Sequence, residues 1–209
     1  NLLDRAILAH TELDVERNCR KVDEIPFDFR RRRMSVVIDY EDRHVLICKG
    51  AVEEVVAACE NYQVDDDINP LIKLIRDDLM DEYRHLSAEG YRVLAVAYRE
   101  FDRSKTTFSV ADETGLVLLG YIAFFDPAKD TSARAIEALS RHGVAVKILT
   151  GDNELVSRKV CADVAMPVTK VMTGPQLAAL DEEGFGRAVV EANVLARLTP
   201  DQKEKVIRT

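Results

Sequence analysis

The spacing of apolar side chains changes several times along the chain, and each change marks a different kind of element. Leu2 to Ala9 space their apolar residues as a helix does. After a polar segment, RMSVVIDYEDRHVLICKG sets two β-branched runs about a charged step at Glu41–Asp42, the pattern of a hairpin. Lys49–Gly50 then opens a helix over Ala51 to Cys59. A longer amphipathic helix is predicted from Pro70 to Glu89, with Pro70 in its first turn and Gly90 as its stop. Its apolar stripe is Leu71, Leu74, Ile75, Leu79, Tyr83 and Leu86. Two strand-like runs follow, YRVLAVAYREF and LVLLGYIAFF, separated by a polar loop from Asp102 to Gly115.

From Asp126 onward strands alternate with helices. Helix Thr131 to His142 stops at Gly143 and leads to strand VAVKIL and the loop TGDN. Helix Glu154 to Ala165, a short strand near Val168 to Met172, a helix from near Pro175, strand VLARL and a helix opening at Pro200 complete the series. Such alternation predicts a parallel, doubly wound sheet. The chain therefore divides into a hairpin-rich α+β unit over 1–125 and an α/β unit over 126–209.

Composition narrows the classes. With 47% hydrophobic and 32% charged residues the chain is globular rather than disordered. A net charge of −8 argues against nucleic acid or an anionic membrane as the default partner, so any phosphate binding must come from a local cluster. The four cysteines (Cys19, Cys48, Cys59, Cys161) have no CxxC spacing and read as reduced, small buried thiols of a cytosolic chain. No signal peptide is visible at NLLDRAILAH. The longest apolar run, Leu116 to Phe125, is about half the ~20 residues that a membrane helix needs, so it reads as a buried strand of a soluble chain.

Three clusters carry candidate chemistry. Thr150-Gly151-Asp152 lies between a strand and a helix, where open parallel sheets bind ligands; it is also an ordinary turn composition. The run Arg30–Arg33 is the densest positive charge, and fits either a solvated strand edge or a localisation-type basic patch. It also follows Phe27 and Phe29 and lies one hairpin from Lys49, so Phe27, Arg32 and Lys49 are expected to converge as an aromatic face with two cations, suited to adenine and polyphosphate. Lys49-Gly50-Ala51 supplies a flexible charge and a glycine permitting close approach, but lacks the spacing of a Walker loop. Asp126-Pro127-Ala128-Lys129 reads as a stiff junction, and Lys203 as a surface helix lysine.

Taken in order, these pieces resemble the cytoplasmic region of P-type cation-transporting ATPases. The matching segments are Asp4 in DRAIL, FDFRRRRMSV, Lys49-Gly50-Ala51, GYRVLAVA, Asp126 to Lys129, Thr150 to Asn153, and ARLTPDQK, spanning almost the whole chain. The resemblance implies an α+β nucleotide-binding domain, an antiparallel sheet with flanking helices, over 1–125. A partial α/β haloacid-dehalogenase-like (Rossmann-like) phosphorylation domain would follow over 126–209. It implies that Phe27 stacks on adenine with Asp4, Arg32, Met34, Lys49 and Gly50 around the nucleotide, and that Arg92 approaches its phosphates. Thr150, Gly151 and Asp152 would hold the transferring phosphoryl group, Lys203 would contact it, and Arg197 and Asp126 would help place nucleotide or close the domains.

ATP and Mg2+ are the implied cofactors, with most magnesium ligands outside this chain. The wording NLLDRAIL, PFDFRRRRMSVV and VKILTGDNELVSRKVC looks most like the bacterial magnesium-importing branch, which implies a bacterial inner-membrane protein with this region cytoplasmic. Departures are Arg32 where the family usually has lysine, and DPAK for DPP(R/K). No DKTGT segment or GDGxNDxxAL magnesium site is present. The chain is therefore expected to be an excised segment without ATP turnover of its own, partnered by the membrane helices, actuator domain and DKTGT segment of the same polypeptide. Other readings are a proton or calcium pump of the same superfamily, a non-catalytic nucleotide-binding module, and a free-standing dehalogenase-like phosphatase. The last would need Asp65-Asp66-Asp67 as its nucleophile motif, expected in a polar loop without a preceding strand.

Overall fold

The computed structural model describes residues 19–209. The expected helix over Leu2–Ala9 and the candidate Asp4 lie outside the described residues. The described residues up to Tyr83 with Val93–Phe124 form one compact unit, and Arg84–Arg92 with Phe125–Thr209 form a second.

In the first unit a seven-stranded sheet runs in the order β1-β2-β3-β6-β7-β4-β5. Strands β2 (Arg33–Tyr40) and β3 (Arg43–Ala51) make the expected hairpin, turning at Glu41 with φ of 51°. Their alternation is that of a sheet with one face packed: Ser35, Val37, Leu46 and Cys48 point inward. Strand β6 (Tyr91–Asp102) continues the sheet with Val93, Ala95 and Ala97 buried, and β7 (Leu116–Phe125) with Leu116 and Leu118. Helix α1 (Val52–Ala58) buries Val52, Val55 and Val56.

Three strands escape the sequence pattern. Strand β1 (Arg20–Asp28) buries Ile25 alone among polar neighbours. Strands β4 (Cys59–Val64) and β5 (Asp67–Pro70) form a second hairpin. Pro70 therefore ends a strand rather than starting a helix, and helix α2 begins later, spanning Lys73–Ala88. Leu74 is 65% exposed and leaves the expected stripe, whereas Leu71 and Tyr83 are buried. A strand does precede the Asp65-Asp66-Asp67 triplet, but that triplet is exposed at a hairpin tip, with Asp65 at φ 52°.

In the second unit, helix α3 (Ser132–Arg141) precedes a three-stranded parallel sheet ordered β8-β10-β9. Strand β8 is only Ile148–Leu149, because the expected strand from Val144 starts among exposed residues. Helix α4 (Glu154–Asp163) follows, then β9 (Val171–Thr173). The region after Pro175 holds two helices, α5 (Gly174–Ala178) and α6 (Glu182–Glu191), because Asp181 breaks the run and caps α6 by accepting from Gly184 N at 2.8 Å. Strand β10 (Val194–Ala196) and helix α7 (Pro200–Arg208) end the unit.

Side-chain alternation in these short strands feeds two cores. Leu149, Met172 and Leu195 join Leu177, Phe185, Val189 and Val206 on one side. Ile148, Val171 and Val194 join Cys161, Val164 and Ile136 on the other. This is the layering of helices on both faces of a parallel sheet. The same capping box, Thr173 with Gln176 and Thr199 with Gln202, starts both α5 and α7 behind a proline at the helix entrance.

Candidate functional site

The β2–β3 register sets Met34 opposite Lys49 and Arg33 opposite Gly50, so the Arg30–Arg33 run and the Lys49-Gly50-Ala51 step are neighbours. The β1–β2 pairing shifts between Ile25↔Ser35 and Asp28↔Arg33, three steps on one strand against two on the other. Pro26 and Phe27 occupy this bulge, the irregular place where a sheet tolerates proline. Phe27 is 48% exposed there and stands edge-on to Phe29 with ring centroids 5.1 Å apart.

The connecting turn is tightly held. Asp28 Oδ1 accepts from the backbone N–H of Arg30 and of Arg31, each at 2.8 Å, and these bonds hold its carboxyl below the usual range. Arg32 N donates to Asp28 O at 2.6 Å, and Arg32 takes φ 50°. The backbone of Arg32 and Arg33 then lies directly over Gly50, where an added Cβ would meet Arg32 O and Arg33 Cβ at 2.5 Å. The close approach for which Gly50 is needed is thus made by the chain's own turn.

The four arginines are not one basic patch. Glu113, fully buried at the end of a one-turn 3-10 helix (Val110–Asp112), accepts from Arg31, from Arg33 Nε at 3.0 Å and from Ser35 Oγ at 2.8 Å. Arg33 also donates from NH1 to Glu54 O at 2.9 Å and from NH2 to Glu113 O at 3.2 Å. Arg32 pairs with Glu54 Oε1 at 3.1 Å through NH1. Arg30 is exposed. Neither Glu113 nor Glu54 was among the expected site residues. An acid within a polar loop, some 80 positions away, carries no local sign of such a role.

In the second unit the C-terminal ends of β8, β10 and β9 align, which gathers the loops after them at one edge. Leu198 N donates to Thr150 O at 2.9 Å and Arg197 N to Asp152 O at 2.8 Å, fastening the Thr150 loop to the segment after β10. Thr150 Oγ1 donates to Asp152 Oδ2 at 2.8 Å and accepts from Asp152 N at 3.1 Å. Arg92 bridges two carboxylates, with NH2 3.1 Å from Asp152 Oδ2 and NH1 2.9 Å from Asp126 Oδ2. At Gly151 an added Cβ would meet only Leu198 O at 3.7 Å, so packing does not require glycine there. Asn153 caps α4, accepting from Val156 N at 2.9 Å, and its amide donates to Ser87 Oγ at 3.0 Å.

Arg197 takes φ 55°, and its Nε donates to Glu154 Oε2 at 2.8 Å. Lys203 lies in the first turn of α7, half-buried, and forms no ion pair among the described residues. The structure thus brings Phe27, Arg32, Met34, Lys49 and Gly50 together in one unit. It brings Arg92, Asp126, Thr150, Gly151, Asp152 and Arg197 together in the other. No group of three or more His, Cys, Asp or Glu among the described residues is arranged to hold a metal ion. No described helix is long and apolar enough to cross a membrane.

The family model described as P-type ATPase, cytoplasmic domain N, matches residues 4–131. The Magnesium-transporting ATPase, P-type 1, of Escherichia coli K12 is 40% identical over 212 residues, covering 99% of this chain and 24% of that protein. Its namesake in Salmonella typhimurium is 39% identical over 216 residues with the same coverage. Calcium-transporting ATPase 1 of Lactococcus lactis is 25% identical over 197 residues, covering 93% of this chain and 22% of that relative. The chain therefore spans about a quarter of the length of its curated relatives. It belongs to the P-type ATPase family, of which it carries the cytoplasmic domain N.

Proposed function

We propose that this chain is the ATP-gripping and phosphoryl-holding region of a magnesium-transporting P-type ATPase of the bacterial inner membrane. Residues 1–125 serve as the nucleotide-binding domain, and 126–209 as part of a haloacid-dehalogenase-like phosphorylation domain. The observation that carries the reading is the hairpin register: Met34↔Lys49 sets a sulfur-bearing apolar side chain and a cation side by side, beneath the bulge that exposes Phe27. Phe27 and Met34 offer the adenine a face, while Lys49 and Arg32 meet the polyphosphate. Asp4 and Gly50 complete this site in the reading.

In the second unit Thr150, Gly151 and Asp152 hold the phosphoryl group, with Lys203 as its cation. Gly151, which packing leaves unexplained, permits the phosphoryl oxygens to approach the backbone. Arg92 carries charge to the phosphates, and Asp126 and Arg197 set the neighbouring loops. The described residues do not by themselves fit a Mg2+ cofactor site: Asp126 and Asp152 are both taken up by Arg92. Magnesium as cargo is supported by relatives bearing that name at 39% and 40% identity, against 25% to 28% for calcium-named ones.

Titrating the chain with ATP while following assigned backbone and methyl resonances tests the reading. Shifts at Phe27, Met34 and Lys49 are expected, with dissociation constants on the order of millimolar to tens of micromolar. Affinity unchanged by Phe27→Ala and Lys49→Ala would overturn the nucleotide site. The cargo is tested on the whole polypeptide in proteoliposomes, where ATP-driven magnesium movement is expected and calcium movement alone would refute it.

A further inference from the structure

Four consecutive arginines beside a polyphosphate site raise a chemical problem. Guanidinium groups on flexible stems offer many competing ways to hold the same phosphates, and repel one another when crowded. The structure answers with a carboxylate that lies outside the run. Glu113 is buried, takes Arg31 and Arg33 on Oε2, and takes Ser35 on Oε1. Arg33 is in turn bonded to Glu54 O, in the first turn of α1, which follows Lys49-Gly50-Ala51 directly.

We propose that Glu113 is a positioning residue of the nucleotide site. It offsets part of the charge of Arg31 and Arg33 and immobilises both, which fixes the turn Asp28–Arg33 against Gly50. Of the three arginines that pair with carboxylates, Arg32 is then the one with most donors to spare: one guanidinium nitrogen is engaged, by Glu54, against two for Arg31 and three for Arg33. Its left-handed backbone, φ 50°, is the local cost of that presentation. Being fully buried, the carboxylate acts through the turn rather than by contact with nucleotide. The proposal rests on the nucleotide site assigned above.

Its test is ATP and adenosine affinity, measured by calorimetry on the whole chain, for Glu113→Gln, which keeps the shape and removes the charge. At a temperature where circular dichroism shows the variant folded, we expect ATP to bind at least about fivefold more weakly, with adenosine changed less. The salt dependence of ATP binding separates the roles further, because a residue that only supports the fold leaves both the affinity and its salt slope unmoved. Unchanged or tighter ATP binding by folded Glu113→Gln overturns the proposal. Should that variant not fold, Ser35→Ala decides, since it removes the hydroxyl's bond to Oε1 and leaves both arginine pairings of Glu113 in place. Two- to fourfold weaker ATP binding, about the effect of one modest hydrogen bond, supports the positioning role, and unchanged binding overturns it. If Phe27→Ala and Lys49→Ala weaken ATP while these variants do not, this inference alone fails. If none of the four matters, the site assignment fails with it.

Discussion

Arg33 reaches Glu113 across 80 residues of sequence, with Nε donating to Oε2 at 3.0 Å inside the first unit. Both ends are enclosed, Glu113 fully and Arg33 with 17% of its side chain exposed. Arg33→Ala leaves Glu113 held by Arg31 and Ser35 but strips the bonds that Arg33 makes to Glu113 and to Glu54 O, so it is expected to lower stability by roughly 1–3 kcal/mol. Arg30→Ala, three residues before Arg33 and exposed, should stay within about 0.5 kcal/mol of wild type. Urea unfolding followed by circular dichroism distinguishes them, and equal effects would show that the arginine run acts as a uniform surface charge.

The thiols yield a prediction in pH. Burial pushes Cys59 from 9.0 to about 12 and raises Cys48 and Cys161 as well. Folded chain therefore keeps the Cys59 proton where unfolded chain releases it. The associated stability is fully present below pH 9 and is lost as pH climbs from there toward about 12. Denaturation midpoints should fall with pH in that range, and less so in Cys59→Ala. Iodoacetamide at pH 8 should modify Cys19, which is half-buried, well before the three buried thiols. Rapid native labelling of Cys59 would contradict this.

Two glycines are demanded by backbone approach. Gly50 lies under Arg32 and Arg33, and Gly174 lies against the carbonyl of Arg197 and, at 2.5 Å, Gln202 Oε1. Gly50→Ala and Gly174→Ala should each cost about 1–3 kcal/mol, because backbone rather than a flexible side chain must move. Gly151→Ala meets only an ordinary contact and should be nearly neutral for stability. Thermal melts of the three variants would check the order.

Lys147 closes the end of α6, its ammonium donating to the carbonyls of Val189, Val190 and Ala192 at 2.6, 2.8 and 2.7 Å. These are carbonyls that a helix end leaves without internal partners, and a cation there also meets the negative end of the helix dipole. Lys147→Met keeps the length of the stem and loses the charge. A loss of about 1–2 kcal/mol is expected, with faster amide exchange in α6 as its signature.

What was legible in the sequence tracks how each element earns its burial. The β2–β3 hairpin shows because Val37, Leu46 and Cys48 alternate with half-exposed neighbours. Strand β1 does not, since Ile25 is its one buried side chain. Pro70 invited a helix start but ends β5, a position equally suited to a residue without an N–H. That the start of β2 lies beside the end of β3 followed from hairpin geometry, and the Met34↔Lys49 register is an instance of it. Glu113 could not be foreseen, because its partners lie about 80 positions away and a loop glutamate is ordinarily solvated.

Strand β10 is the middle of the parallel sheet and also its last strand in sequence. Until Val194–Ala196 has been synthesised, β8 and β9 have no partner to bind, and both cores they share with it stay open. The seven-stranded sheet has all its strands by Phe125. On a ribosome adding roughly 5–20 residues per second, the seven-stranded sheet thus has several seconds of head start, and the three-stranded one waits for a three-residue strand.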